Sequence, residues 1–438
     1  MSSKPSGWAS VPLAELVDIL DSKRVPINSD ERATRIAGKH VSELFPYYGA
    51  TGQVGWIDQA IFDEELVLLG EDGVPFHDPF KRKAYRIKGK TWVNNHAHVL
   101  RAIAQKIDIR YLEHYLNSFD YVASVTGSTR LKLTQAAMVR IPVLVAPVLE
   151  QQRIADKLDT VLARVDACRD RLARVAPLLK RFRQSVLAAA TSGLLTEEWR
   201  IISGARAWIA TDVQSVAEVG TGSTPLRSNA QYFAPTGTPW ITSGATSQPF
   251  VTSAQEFVTD AAIKAHRLKV YPPGTLLVAM YGEGKTRGQV TELSIPATIN
   301  QACAAVRVDE SLARAAYVKL ALQANYFEMR ELAEGGNQPN LNLGKIKEFG
   351  LQLPGLDEQA EIVRRVETLF AFADRLEARL AQARSAVDRL SPSLLAKAFR
   401  GELVPQDPAE EPAAELLTRL AAQRDTAPAR QRSRSVRA

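Results

Sequence analysis

The feature that most constrains this chain is that it repeats itself. Laying Glu150-Gln151 over Glu358-Gln359, an offset of 208 residues, starts an alignment that runs without a gap to Gly193-Leu194-Leu195 over Gly401-Glu402-Leu403. Along it fall Ile154 and Ile362, Thr160 and Thr368, Asp166 and Asp374, Arg171-Leu172-Ala173 and Arg379-Leu380-Ala381, and Leu187-Ala188 and Leu395-Ala396. Upstream the match thins but keeps its order. Trp8 answers Trp208, Gly49-Ala50-Thr51 answers Gly244-Ala245-Thr246, Asn95 answers Asn300, and Leu131 and Leu133 answer Leu341 and Leu343. A chain of 438 residues is too long for one ordinary core. The repeat says how it divides: two tandem units of roughly 200 residues, each a divergent first part and a well-matched second part.

The matched parts carry a coiled-coil seam. Ile154, Leu158, Val161, Val165, Cys168, Leu172, Val175, Leu179, Phe182 and Val186 are spaced alternately four and three apart, and Ile362 to Leu394 repeat that spacing position for position. Such alternation keeps an apolar stripe on one side of a supercoiled helix, so each segment wants a partner helix. Each could pack on its own domain, but two seams in identical register favour mutual pairing. At 1.5 Å per residue a seam is roughly 48 Å long. Pro177 sits inside the first seam, where a kink or short break is expected, and Ser391-Pro392 is expected to end or bend the second helix. The divergent parts read as mixed α and β, with strand-length apolar runs at 66–69, 275–279 and 304–308 between turn-forming residues.

Composition narrows the class. Hydrophobic residues make up 45% and charged residues 24%, which suits folded domains. The net charge of +7 leans only weakly toward a polyanionic partner. Cys168 and Cys303 match neither a zinc spacing nor a disulfide framework, and the start MSSKPSGWAS lacks the apolar core of a signal peptide. No apolar run is long enough to span a bilayer, so a cytoplasmic home without membrane insertion is expected.

Several strings mimic catalytic motifs and fail their chemistry. Gly282 to Thr286 resembles the end of a phosphate-binding loop, but the glycine the loop needs at 279 is Ala279. His96 and His98 could share one strand face as metal ligands do, yet no third ligand is obvious, and a structural or DNA-facing patch fits better. Asp78-Pro79-Phe80 is one proline short of an adenine-methyltransferase loop, and Asp21-Ser22-Lys23 with Asp18 is a chance-level match to a nuclease pattern. No catalytic residue and no metal site is expected.

What remains is a nucleic-acid surface. Lys81, Arg82, Lys83, Arg86, Lys88 and Lys90 crowd ten residues that contain Tyr85 and no acid. Such clusters supply phosphate contacts, although a solvated loop would look the same. Lys23, Arg24, Arg130 and Lys132 in the first half, and Arg227, Arg267, Lys269, Lys285 and Arg287 in the second, add donors at loop-like places. Base edges need Arg, Asn or Gln, and the loop 335–340 offers Asn337 and Gln338.

Taken in order, these features resemble the type I restriction-modification specificity subunits. The resemblance rests on Leu353-Pro354-Gly355-Leu356-Asp357-Glu358-Gln359 opening a long helix, its looser counterpart at Ala146 to Gln152, Tyr47 to Gly52, Trp92 to Leu100, Gly222 to Pro225, Pro239 to Thr242 and Lys180 to Ala190. It implies an α+β protein with two tandem mixed α/β target-recognition domains separated by an antiparallel coiled coil of two long helices, as a pseudo-two-fold repeat. The expected boundaries are a recognition domain at 1–148, a helical region at 149–200, a second recognition domain at 201–356, a second helical region at 357–405 and a largely disordered tail at 406–438, within which a short helix around Ala413 to Gln423 precedes an arginine-rich end.

The resemblance further implies a non-catalytic reader of double-stranded DNA in bacterial defence, one half-site per recognition domain. It would dock two modification (methyltransferase) subunits and restriction (motor-nuclease) subunits. S-adenosylmethionine, ATP and Mg²⁺ would sit on those partners, and this chain would hold no cofactor. The competing reading, a stand-alone DNA methyltransferase or nuclease with a coiled-coil insert, would need the motifs that fail above. A purely structural coiled-coil protein would have no use for two differing globular units.

Overall fold

The computed structural model describes residues 4–282, 286–333 and 340–426. The chain forms two compact units. One consists of residues up to Ala173 together with those from Ala381 onward, and the other runs from Arg174 to Leu380.

In the first unit, β1 (Ala9–Pro12) pairs antiparallel with β10 (Pro142–Val145). One four-stranded sheet has the order β2-β9-β6-β7, built from β2 (Val17–Ile19), β6 (Leu66–Gly70), β7 (Ala84–Ile87) and β9 (Ala97–Ala102). The other, β4-β3-β8-β5, uses β3 (Phe45–Gly49), β4 (Gly52–Ile57), β5 (Phe62–Asp63) and β8 (Lys90–Val93). The helices are α1 (Ser29–Ile36), α2 (Ile109–Ser118), which lies against β6 and β7, and the short α3 (Gln135–Met138). Strand β6 reads Leu-Val-Leu-Leu because it is covered on both faces: Val67 and Leu69 enter one apolar cluster with Trp8 and Tyr111, while Leu66 and Leu68 enter another with Phe62 and Val99.

The second unit repeats this frame. Its β11 (Ile209–Asp212) pairs with β21 (Gly350–Leu353), and the sheet β12-β20-β17-β18-β15 reproduces β2-β9-β6-β7 with one added edge strand. These strands are β12 (Ala217–Thr221), β15 (Phe250–Val251), β17 (Leu276–Ala279), β18 (Val290–Leu293) and β20 (Cys303–Val308). A further sheet has the order β13-β16-β14-β19, with β13 (Phe233–Ala234), β14 (Thr238–Ile241), β16 (Glu256–Val258) and β19 (Thr298–Ile299). The parallel pair β3–β8 recurs as β14–β19. Ser223 N–H reaches the Ile299 carbonyl at 3.2 Å, and a Cβ on Gly222 would stand 1.6 Å from that oxygen, so only glycine admits this crossing. Helices α6 (Val213–Val216), α7 (Asp260–His266), α8 (Ala315–Ala324), α9 (Tyr326–Glu331) and α10 (Leu343–Lys347) complete the unit, with α5 (Glu197–Ser203) preceding β11.

Hydrogen bonding corrects two of the pairings read from sequence. Asn94 donates its N–H to the Tyr48 carbonyl and accepts from His96 N–H, and Asn300 makes the same two bonds with Ile241 and Ala302. The counterpart of Asn300 is therefore Asn94, not Asn95. Likewise Leu133 N–H bonds the carbonyl after β6 and precedes the N-cap of α3, as Leu341 does after β17 and before α10, so Leu341 answers Leu133. Adjacent asparagines and near-adjacent leucines let a low-identity alignment slip by one or two residues.

The long helices are α4 (Val148–Thr191) and α11 (Leu356–Ala398). Within the first unit, Arg169 meets Asp388 and Ser391, and Arg384 reaches the Leu172 carbonyl at 3.0 Å. Within the second, Arg183 pairs with Asp374 at 2.6 Å, while Val186 and Ala190 pack with Ile362 and Val366. Numbers rise on one helix as they fall on the other, so in each unit the helices pair with each other and antiparallel. Neither proline interrupts its helix: Pro177 and Pro392 lie inside α4 and α11. Each removes one main-chain hydrogen bond, but Leu179 beyond the first and Leu395 and Ala398 beyond the second are buried, and that packing holds the helical path.

Both units close on the same node. Glu150 and Glu358, nearly inaccessible at the helix starts, accept the indole N–H of Trp8 and Trp208 at 3.1 and 3.0 Å. The neighbouring Gln151 and Gln359 accept the main-chain N–H of Asp108 and Arg314 and donate to Ala146 and Pro354. Past α11 the chain stays on the first unit. Phe399 packs edge-on against Tyr111 and Tyr115, Arg153 pairs with Glu410, and α12 (Ala413–Thr426) begins with Ala413 N–H on the Gly7 carbonyl. Arg430, Arg432, Arg434 and Arg437 lie outside the described residues. Among the described residues no helix is long and apolar enough to cross a membrane.

Candidate nucleic-acid interface

In the first unit the loops that follow β6, join β8 to β9 and precede α3 meet at one end of the sheet. Glu71 N–H donates to the His96 carbonyl, and Leu133 N–H donates to the Glu71 carbonyl. Arg24 stitches this end from inside, reaching Glu71 at 2.9 Å and the Ala97 carbonyl at 2.7 Å. Its role is structural, whereas neighbouring Lys23 faces solvent. On the outer surface Asp72 holds two cationic or polar partners, Arg130 Nη2 and His96 Nδ1, both at 2.8 Å. Burial pushes the Asp72 carboxyl up, but Arg130 and His96 more than offset this and hold it below its usual range. Lys132 pairs with Glu71 at 3.2 Å.

The two histidines do not act together. His98 is buried, with Nδ1 2.6 Å from Asp21 and Nε2 2.9 Å from the Leu133 carbonyl. Burial raises Asp21, yet hydrogen bonds from His98 and Val99 bring it below the usual carboxylate range. His98 is thus a strut between β9 and the loop before α3. Among the described residues no cluster of three or more His, Cys, Asp or Glu side chains is placed to hold a metal ion.

The corresponding end of the second unit carries different groups. Gln301 is exposed and contacts Thr224, and Tyr281 is exposed just past β17. Nearby Arg227 stacks over Phe233 and Trp240, its carbon 5.4 and 5.3 Å from the ring centres, and forks onto Glu256 at 2.9 and 3.0 Å. Arg287 is half-buried on the loop before β18, Arg267 is exposed, and Lys269 pairs with Glu218. Lys285, Asn337 and Gln338 lie outside the described residues.

The basic stretch 81–90 divides. Arg82 reaches Asp166 on α4 at 2.7 Å. Lys83 is buried, with its ammonium on the Asp78 carbonyl, and burial lowers its pKa. Arg86 bridges Glu113 on α2 and Asp159 on α4, and His114 meets Asp159 at 2.7 Å. Arg82 and Arg86 fasten β7 and its loop to α2 and α4, while Lys83 closes the loop on itself. Lys81 and Lys88 are exposed, with no carboxylate within 4.0 Å among the described residues, and Lys90 lies 6.0 Å over the Phe45 ring. Sequence reasoning missed Asp72 and the helix carboxylates Asp159 and Asp166. The first could have been suspected from its place at a strand end, but nothing local marks the other two.

Comparison with known proteins agrees with this repeated frame. The family model for the type I restriction modification DNA specificity domain matches twice, at residues 5–175 and 207–383. The EcoDI type I restriction enzyme specificity subunit of Escherichia coli is 28% identical over 98% of this chain and 98% of its own length. The StySPI specificity subunit of Salmonella potsdam is 30% identical over 75% of this chain and 74% of its own. The fold is shared with the HsdS subunit from Thermoanaerobacter tengcongensis, with TM-score 0.57, 17% identity and coverage of 92% of this chain and 98% of that one. It is also shared with a chain solved in work on complex assembly and conformational transition of the type I R-M system, with TM-score 0.63, 16% identity and coverage of 92% and 100%. The chain belongs to the type I restriction-modification specificity subunits, the DNA-recognising and non-catalytic component of those complexes.

Proposed function

We propose that each unit reads one half of a bipartite, asymmetric DNA site through the loop end described above. The carrying observation is that one frame occurs twice with different polar groups at the same end: Asp72, His96 and Arg130 in the first, Thr224, Gln301 and Arg227 in the second. Unlike polar groups on a shared frame, at an end where loops meet, are what two readers of unlike half-sites require. Lys23, Lys81, Lys88 and Lys90, all exposed, supply phosphate contacts that set register, and the loops supply base contacts. Recognition domains at 1–148 and 201–356, helical regions at 149–200 and 357–405 and a tail from 406 are the working division.

In this reading the paired helices dock two adenine-methyltransferase subunits and the motor-nuclease subunits, and S-adenosylmethionine, ATP and Mg²⁺ are handled by those partners in the cytoplasm. The test is exchange. Replacing residues 1–148 with the recognition domain of a relative, then mapping adenine methylation across the host genome, should change one half-site and leave the other intact. Changes in both halves, or in neither, would sink the reading. The purified chain alone should transfer no methyl group to DNA, and transfer without a partner would favour a self-contained methyltransferase.

A further inference from the structure

The tip of the loop before α3 is a small braced platform. Thr126 and Lys132 exchange main-chain hydrogen bonds in both directions, at 2.9 and 2.8 Å. Between them Gly127 turns the chain at φ +97°, where a Cβ would stand 2.4 Å from the Arg130 carbonyl. The ion pair of Lys132 with Glu71 pins the base of the loop, and Arg130 projects from the tip, 63% exposed.

An exposed arginine is ordinarily a free rotor, but this one is aimed. Asp72, only 18% exposed, takes one hydrogen from Arg130 Nη2 at 2.8 Å, and the same oxygen faces His96 Nδ1. The guanidinium is planar with five N–H donors, and Nη2 carries two of them. Nη1 and Nε of Arg130 have no partner among the described residues. Whichever Nη2 hydrogen Asp72 holds, the other lies parallel to a free N–H and forms a fork directed away from the carboxylate. Two parallel donors match one base edge in the major groove, O6 and N7 of guanine, whereas adenine offers one acceptor beside an amine donor.

We propose that Arg130 reads a guanine in the half-site of the first unit, with Asp72 as the positioning residue that fixes its plane. The inference rests on the reading that this unit recognises a half-site. The alternative for an exposed cation, a phosphate clamp, has a different signature: it weakens binding alike on every sequence.

The experiment replaces Arg130→Ala, Arg130→Lys and Asp72→Asn in the full chain in its host, maps methylation across the genome, and measures binding of the purified complex to duplexes altered one base pair at a time. In the half-site that exchange of residues 1–148 alters, one guanine should become degenerate in Arg130→Ala and keep a weaker preference in Arg130→Lys, whose ammonium still reaches O6 and N7 without the planar fork, with the other half-site and the spacer unchanged. The wild type should discriminate that guanine by roughly 5- to 150-fold, and Arg130→Ala should lose most of this factor. Asp72→Asn should relax the same position and add little in the Arg130→Ala background. A uniform loss of affinity with a salt slope smaller by about one would make Arg130 a phosphate clamp and overturn the assignment. Full discrimination retained by Arg130→Ala would overturn it too, because alanine leaves no donor to reach the guanine edge. In either case the half-site reading stands if domain exchange still moves one half-site, and it fails separately if exchange moves none.

Discussion

Glu150 and Glu358 hold equivalent places but are satisfied differently, and the difference is measurable. Glu358 accepts from Trp208, from Thr196 at 2.8 Å and from Arg200 at 2.9 Å. Glu358→Ala would leave a half-buried indole N–H and a buried hydroxyl without an acceptor and Arg200 without its counter-ion, a loss of about 3–5 kcal/mol in urea denaturation of the second unit. Among the described residues Glu150 has only neutral donors, Trp8 and Gln406. Burial therefore raises its pKa above the ordinary 4.5, and Trp8, Gln406 and Arg153 offset this only in part. With a folded value above the unfolded one, its contribution to stability is complete below about pH 4.5 and is lost as pH rises through the raised folded value. Glu150→Gln keeps an acceptor for Trp8 and removes the ionisation. Denaturation curves between pH 4.5 and 7.5 should show a flatter pH dependence for the variant, and a steeper one would contradict this origin of the shift.

Among elements, the helix-to-sheet contact is the instructive one, because the repeat has reversed its charges. Val67 on β6 lies between Arg86 and Leu100, and Leu276 on β17 lies between Glu292 and Val306, so Arg86 and Glu292 occupy one place. Tyr111 and Tyr317 both donate to the carbonyls of the last strand, which makes Glu113 and Lys319, two residues on, equivalent as well. One unit joins β7 to α2 as Arg86 with Glu113 and the other joins β18 to α8 as Glu292 with Lys319, at 2.5 and 3.2 Å. Lys319→Glu would set two carboxylates together at a site 8% exposed and should cost about 3–5 kcal/mol. Adding Glu292→Arg should recover about 0.5–3 kcal/mol of it. Recovery is incomplete because Lys319 also bonds the Pro249 carbonyl and lies 3.7 Å over Phe250. A double variant no more stable than the single one would mean that the pair is not the contact that matters. The same elements show what a sequence discloses. The seam from Ile154 to Val186 and its copy are periodic, and periodicity survives divergence, so the long helices and the presence of two copies were legible. The targets of Arg82 and Arg86 were not. Asp166 and Asp159 lie on a helix far along the chain, and a basic run looks the same whether it faces phosphate or a carboxylate brought in by the fold. Asp72, His96 and Arg130 come from three loops, and only the finished sheet end puts them side by side.

For the whole molecule, the proposal that each unit reads one half-site carries a consequence for the distance between the two. Both α4 and α11 continue through the boundary between the compact units, which falls at Ala173 and at Leu380. Residues added there lengthen both long helices at that boundary. The end of α4 is the wrong place to add them, since Ala190 is fully buried with Tyr317 and Ile362. Four helix-forming residues inserted after both Ala173 and Leu380 keep the two helices matched and enter each seam as a stutter, which locally unwinds a coiled coil without abolishing its core. The added rise is about 6 Å, nearly two base pairs, while the added rotation is about 40°, close to that of one. Rise and rotation disagree, so the methylated motif should keep both half-sites and gain a spacer longer by one or two pairs. One pair should be favoured, because a recognition loop that faces the wrong side of the groove loses its contacts, whereas a stretched helix or a slightly bent duplex costs less. An unchanged spacer with full methylation would mean that the paired helices do not measure the site, and altered half-site bases would mean that the two units do not read independently.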